Sequence, residues 1–235
     1  MNDTMLHKLI PDWPAPARIR SAVVTLHGAA ADAGRTALRD VLALPSEPCW
    51  LRQVHGTHVA LVDRLPPDDP EADAAVTRTA EVVLAIKTAD CLPVLFCAGD
   101  GSEIAAAHAG WRGLSAGVLE NTLAAMQAPR ANIIAWLGPA IAARSYEVGD
   151  EVRDAFLSHD PAAEAAFAAA TRPGHWLCDL YALARQRLQA AGVTRISGGG
   201  FDTFTDPRLH SYRRDGACSG RMASLLWIQS LRAVE

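Results

Sequence analysis

Residues 73–109, DAAVTRTAEVVLAIKTADCLPVLFCAGDGSEIAAAHA, decide the fold. They contain the short apolar runs DAAV, VVLAI, VLFC and EIAAAH, separated by the connectors TRTAE, KTADCLP and AGDGS. Runs this short with brief connectors predict adjacent strands in one sheet. The turn Gly110-Trp111-Arg112-Gly113 follows, and then Leu114, Val118, Leu119 and Thr122 recur at helical spacing, predicting a helix over 114–126. Upstream, strands are expected at 22–27, ending at the Gly28 turn, at 50–55 and at 58–62, with a short helix over 35–44. The segment LPPDDPE, 65–71, has the composition of a solvated loop. Downstream, a strand is expected at 132–137, helices at 150–158, 162–170 and 180–191, with Gly192 as a C-terminal cap, and strands at 195–197 and 223–229. Residues 1–20 are proline-rich and read as an extended N-terminal arm. Residues 21–235 read as a single α+β domain, a mixed β-sheet core flanked by helices.

The composition narrows the function. A chain of 235 residues, 50% apolar and 20% charged, can bury a core without disulfides, which excludes both a stapled miniature and intrinsic disorder. A net charge of -4 gives no footprint for nucleic acid or an anionic membrane, so a small-molecule enzyme is the leading class. The longest stretch free of Asp, Glu, Lys and Arg, 131–143, is shorter than the roughly 20 residues a spanning helix needs. The N-terminus lacks the pattern of a secretory signal, so the expected location is the cytoplasm. The five cysteines are scattered and form no CxxC pair, and they read as reduced thiols.

Three segments place a reactive side chain where an apolar strand meets a polar turn: RQVHG at His55, TADCLP at Cys91 and AAAHAGWRG at His108. If the three strands are neighbours, their C-terminal ends bring two imidazoles and a thiol together, and Cys-His-His with an open position suits catalytic zinc. The alternative is a buried small cysteine and two hydrogen-bonded histidines. Asp90 beside Cys91 should raise the thiol pKa unless a metal or His108 compensates, so Cys91 reads either as a ligand or as the nucleophile of a Cys-His hydrolase. Arg112 is a candidate for binding phosphate or a substrate carboxylate, with Lys87 and Arg52 as weaker candidates. His58 is expected on the opposite face from His55, in a structural role. The tail SYRRDG, with Arg213, Arg214 and Asp215, and the later Gly220-Arg221 read as a solvated polar loop.

With RQVHGTHV (52–59), KTADCLPVL (87–95), AAHAGWRGL (106–114), LGPAI, YEVGDEV and SYRRDGACSGRMASLLWI (211–228), the chain resembles the bacterial YfiH/YlmD-type family over nearly all its length after residue 20. Members of that family are named variously as purine nucleoside phosphorylases, laccase-domain polyphenol oxidases and peptidoglycan editing factors. The resemblance implies a YfiH-like catalytic domain over 21–235, with His55, Cys91 and His108 as the metal-binding catalytic trio. It also implies phosphorolysis of adenosine, inosine, guanosine and methylthioadenosine, and deamination of adenosine. Two departures are visible: Ser145 and Asp202 stand where the family often has cysteine.

The residues discriminate among these chemistries. A multicopper centre needs many paired histidines, whereas this chain has eight histidines and no HxH, which disfavours laccase chemistry while leaving Cu(2+) as an alternative metal. The HxE and PCxxC signature of cytidine-deaminase-type enzymes is absent. A three-ligand Zn(2+) would lower the pKa of a bound water towards about 7. Phosphorolysis needs phosphate held against C1′ of the ribose, a task for Arg112, Lys87, Arg52 or the neighbouring Asp90 turn. The expected partners are therefore a purine nucleoside and phosphate. The alternatives are an amidase removing L-Ser from UDP-N-acetylmuramoyl-L-Ser, a copper-dependent polyphenol oxidase, and a non-catalytic zinc-binding protein.

Overall fold

A computed structural model describes residues 7–26, 35–66 and 68–230. Residues 1–6 of the arm, His27 and Gly28 at the first strand end, and Pro67 in the acidic loop lie outside the described residues.

A five-stranded sheet runs in the order β1 (Lys8–Leu9), β2 (Ile19–Leu26), β14 (Arg221–Ile228), β6 (Val83–Thr88) and β3 (Pro48–Cys49). A six-stranded sheet runs β13 (Arg195–Gly198), β9 (Ile133–Leu137), β7 (Leu92–Ala98), β8 (Ile104–Ala109), β5 (Ala74–Thr77) and β4 (Val59–Leu61). It is antiparallel from β9 to β5 and parallel at its two edges. A small third sheet joins β10 (Glu147–Gly149), β12 (His175–Cys178) and β11 (Phe167–Ala169).

Alternate residues of the central strands go to different cores, as the two-residue period of a strand requires. In β7, Leu95 and Cys97 join Leu84 and Ile86 of β6 and Met222 and Leu226 of β14 in the core between the two large sheets. Leu92, Val94 and Phe96 point the other way, against α3 (Val118–Ala125), α4 (Asp150–Leu157) and α5 (Leu180–Ala190). On the outer face of the five-stranded sheet, Val83, Ala85 and Leu225 pack against Leu38 of α1 (Arg35–Leu42). The order helix, sheet, sheet, helices is an α+β fold, and strands buried on both faces explain the uninterrupted apolar runs. Among the described residues no helix is long and apolar enough to cross a membrane.

Four expectations need correction. The four apolar runs are not all neighbours in one sheet, because β6 belongs to the five-stranded sheet and the Thr88–Cys91 connector crosses to the other. A run apolar on both faces carries no mark of which sheet it joins. The helix expected over 114–126 is two helices, α2 (Trp111–Ala116) and α3, broken at Gly117, whose φ of 102° is left-handed. The helix expected over 162–170 is a 3-10 turn, Pro161–Ala166, capped by Asp160, followed by β11. The strand expected at 50–55 does not form: β3 covers only Pro48–Cys49, Arg52 makes an isolated bridge to Glu71, and the backbone N–H groups of Val54, His55 and Gly56 go to a side-chain carboxylate instead of a ladder. Apart from these corrections, the N-terminal segment, where described, lies along the five-stranded sheet: Lys8 and Leu9 pair with β2, Pro11 is buried, and the Trp13 indole donates to Ser21 Oγ at 3.3 Å.

Candidate metal centre

β7 and β8 are antiparallel with Leu92 opposite Ala109 and Pro93 opposite His108, so Cys91, preceding β7, and His108, near the end of β8, meet at one end of the sheet. The third group, His55, sits in a loop at a positive φ of 60°. What holds it there is Asp73, at the head of β5 and fully buried. Its carboxylate accepts from Val54 N at 3.1 Å, His55 N at 2.9 Å and Gly56 N at 2.6 Å, and from His108 Nδ1 at 2.8 Å. One carboxylate therefore shapes the His55 loop and orients the His108 ring, leaving Nε2 of His108 for the site, the carboxylate-histidine arrangement common behind metal ligands. Gln53 ties the same loop to β6 through paired bonds with the Lys87 main chain, both 2.8 Å.

The donor atoms of His55, Cys91 and His108 lie within 4.8 Å of one another. Cys91 Sγ is 3.9 Å from His55 Nε2, and the two imidazoles meet edge to face with centroids 4.7 Å apart. Tetrahedral zinc with ordinary bond lengths places sulfur and nitrogen ligands roughly 3.5 Å apart, so the trio fits a metal ion with little adjustment. His108 is buried, Cys91 partly so and His55 exposed, so the group is open on one side. Among the described residues it is the one group of three donors at such distances, whereas a multicopper centre needs more. The strand-end expectation is corrected in detail: Cys91 precedes its strand and His55 lies on a loop.

Burial raises the Cys91 thiol, but hydrogen bonds from His108 and His55 overcome it and bring its pKa down to about 6. Burial lowers His108, and the bonds to Asp73 and Cys91 overcome that, raising it to about 9. Asp73, which burial would raise, is held below the usual carboxylate range by His108 and the loop amides. The expectation that Asp90 raises this thiol is thereby corrected: burial raises it, the Asp90 carboxylate is taken up by Thr203 Oγ1 and Arg213 N, and His108 and His55 supply the compensation. In metal-free protein the thiolate form of Cys91 is lost as pH falls through about 6, and the His108 imidazolium is lost as pH rises through about 9. Between these limits iodoacetamide is expected to label Cys91 ahead of the buried Cys49, Cys97 and Cys178, whose burial raises their pKa to about 11, 12 and 12. Added zinc should block the reaction, and mass spectrometry of the labelled peptides checks both points.

Gly110 closes the back of the trio. A Cβ there would stand 2.9 Å from His55 Cδ2 and 3.0 Å from Cys91 Sγ. Gly110→Ala is expected to displace both groups and weaken metal binding by on the order of 10- to 100-fold, measurable by competition with a chelator.

The trio opens into a cavity of about 750 Å³ that is also lined by Arg52, Lys87, Asp90 and Arg112. Arg52 pairs with Glu71 at 2.7 Å, Arg112 stacks on Trp111 at 4.4 Å and Lys87 lies 5.7 Å over Trp50. Asp90 has both carboxylate oxygens engaged, by Thr203 Oγ1 at 2.5 Å and Arg213 N at 2.7 Å. The sequence reading missed Asp73, Tyr146, Tyr212, Arg213 and Arg221. It read the tail as a solvated loop, yet Tyr212, Arg213 and Arg221 line this cavity, brought there because β14 pairs between β2 and β6. Asp73 carried one signal, an acid heading a strand that is otherwise apolar. The two departures from the family pattern contact each other: Ser145 Oγ donates to Asp202 Oδ2 at 2.8 Å, beside Arg144 Nε at 2.9 Å.

Residues 27–229 match the family model described as multi-copper polyphenol oxidoreductase laccase. A Pseudomonas aeruginosa protein named purine nucleoside phosphorylase is 46% identical over 94% of this chain and 98% of its own. Purine nucleoside phosphorylase YfiH of Escherichia coli is 52% identical over 79% of this chain and 75% of its own. The crystal structure of a Neisseria meningitidis protein superposes with a TM-score of 0.88 at 42% identity, covering 95% of this chain and 99% of that one. YlmD from Geobacillus stearothermophilus superposes at 0.77 with 25% identity, covering 92% and 94%. On its motifs, its fold and the span of these matches, the chain belongs to the YfiH-type laccase-domain family.

Proposed function

We propose that this chain is a zinc-dependent purine nucleoside phosphorylase that also deaminates adenosine. The observation that carries the reading is the His55, Cys91 and His108 trio at the wall of a cavity that also presents Lys87, Arg112 and Arg213. The names of relatives spanning 94% of the chain support it. Zinc held by the three side chains would supply Lewis acidity at an open coordination position, chemistry that suits adenosine deamination.

The chain's own residues account for the rest. In phosphorolysis a phosphate oxygen bonds to C1′ while the C1′–N9 bond breaks, and its electron pair passes to the purine, which then takes a proton. Lys87 and Arg112 offset the charge of phosphate in the cavity and hold it against the sugar. The rings of Trp111 and Tyr146 give the purine flat apolar surfaces. Burial keeps the Tyr146 phenol protonated well beyond neutral pH, so it remains a donor to substrate. The five free cysteines support a reducing, cytoplasmic compartment.

The test is zinc-loaded protein incubated with adenosine, with and without phosphate, and the products separated by chromatography. Phosphate-dependent release of adenine and ribose 1-phosphate is expected, with inosine marking deamination. Intact adenosine would overturn the reading and bring forward UDP-N-acetylmuramoyl-L-Ser as the next substrate to assay.

A further inference from the structure

Two consecutive arginines of the tail have opposite fates. Arg214 is consumed by the fold: its guanidinium pairs with Asp215 through two bonds, 2.9 and 2.8 Å, and donates to the carbonyls of Thr203 and Leu209. Arg213 is not. Its guanidinium makes one hydrogen bond, Nη1 to the Glu147 carbonyl at 3.0 Å, and lies 5.3 Å from the Tyr146 ring. None of the ion pairs found among the described residues includes it. A guanidinium has five N–H donors in a planar fork, so most of this fork stays available to a ligand.

The main chain of Arg213 is fixed beside the trio with unusual care. Its N–H donates to Asp90, the residue preceding Cys91, at 2.7 Å. Asp90 is 9% exposed and sits at a φ of 87°, a conformation L side chains rarely adopt. It is held there by Thr203 Oγ1 on its carboxylate and by Ile141 N on its carbonyl at 3.0 Å. The Asp90 latch therefore ties the connector that carries Cys91 to the segment that carries Arg213. The cavity presents basic Arg52, Lys87, Arg112, Arg213 and Arg221 against acidic Asp69 and Asp90. Of these cations Arg52 is already paired with Glu71, and Arg221 donates to the Ser219 and Gly220 carbonyls of its own turn.

We propose that Arg213 joins Lys87 and Arg112 in binding phosphate in this cavity, gripping inorganic phosphate by its guanidinium fork, with Asp90 and Thr203 as the residues that position it. The proposal deepens the phosphorylase reading and rests on it. Bidentate guanidinium–phosphate bonding is charge-assisted and directional, which a lysine cannot reproduce.

The experiment compares zinc-loaded wild type, Arg213→Gln, Arg213→Lys and Arg208→Gln. Arg208 is exposed and paired with Asp206, so Arg208→Gln controls for loss of one positive charge elsewhere. For Arg213→Gln, KM for phosphate is expected to rise about 10- to 100-fold while KM for adenosine stays within about twofold. Arg213→Lys should recover part of the loss, and Arg208→Gln should match wild type. An unchanged KM for phosphate in Arg213→Gln, or a rise in the adenosine KM alone, overturns the proposal. Titration with inorganic phosphate, followed by phosphorus NMR, separates it from the phosphorylase reading. If wild type releases no adenine yet binds phosphate, and Arg213→Gln does not, the phosphorylase reading falls and the anion site stands. If the two bind phosphate equally, or neither binds it, the anion site falls, and a thermal melt of each variant identifies any that is misfolded.

Discussion

Cys91→Ser is expected to reduce turnover by more than about 100-fold, exceeding the loss typical of removing an outer partner of a metal ligand, and to strip the protein of zinc. The reason is electrostatic as much as geometric. The two imidazoles bring the thiol pKa to about 6, so a thiolate faces the trio at neutral pH, whereas a serine hydroxyl there stays protonated. The fold should survive, because Cys91 is partly exposed and the replacement is nearly isosteric. The melting temperature of metal-free protein should therefore change by no more than about 2 °C. Zinc analysis and rate are measured on the same sample. Loss of both identifies Cys91 as a ligand, loss of rate with zinc retained identifies it as the nucleophile, and retention of both refutes the site.

Asp73→Asn should damage stability and site together. In the wild type, Oδ1 accepts from His55 N and His108 Nδ1, and Oδ2 accepts from Val54 N and Gly56 N. An amide in place of the carboxylate sets its NH2 against one of these pairs of donors, and no water reaches a fully buried side chain to relieve it. Leaving buried donors unsatisfied costs on the order of 3 kcal/mol, which corresponds to roughly 6–12 °C in melting temperature for a chain of this size. Zinc affinity should fall by about 10- to 100-fold, since the His108 ring loses its orienting charge and the His55 loop its anchor. Calorimetry and chelator competition check the two effects separately. A variant that melts lower but binds zinc as wild type would limit Asp73 to a structural role.

Much of the site was legible before the fold was known. His55, Cys91 and His108 stand out because each is a polar, metal-competent side chain at the margin of an apolar run, and the structure brings them together. Arg52, Lys87, Asp90 and Arg112 were legible as charged side chains flanking the same runs, and all of them line the cavity. Asp90 shows where that reasoning stops, because its carboxylate is occupied by Thr203 and Arg213, partners more than a hundred positions away. Arg213 and Arg214 are adjacent and alike in sequence, and only their partners distinguish a cavity residue from a structural one.

The α+β class and most of the strands were legible from local apolarity and period, and side-chain chemistry marked His55, Cys91 and His108 as candidate ligands, which the resemblance to the family then joined into one trio. Sheet membership was decided only by the tertiary structure: β6 and β7 are separated by a short connector yet lie in different sheets, because strands apolar on both faces can pair in either. Tertiary structure likewise decided that Asp73 gathers His108 and the His55 loop, and that β14 delivers the arginine-bearing tail to the cavity. Hydrogen bonds across such sequence distances follow from how the sheets stack, and local propensity carries no trace of them.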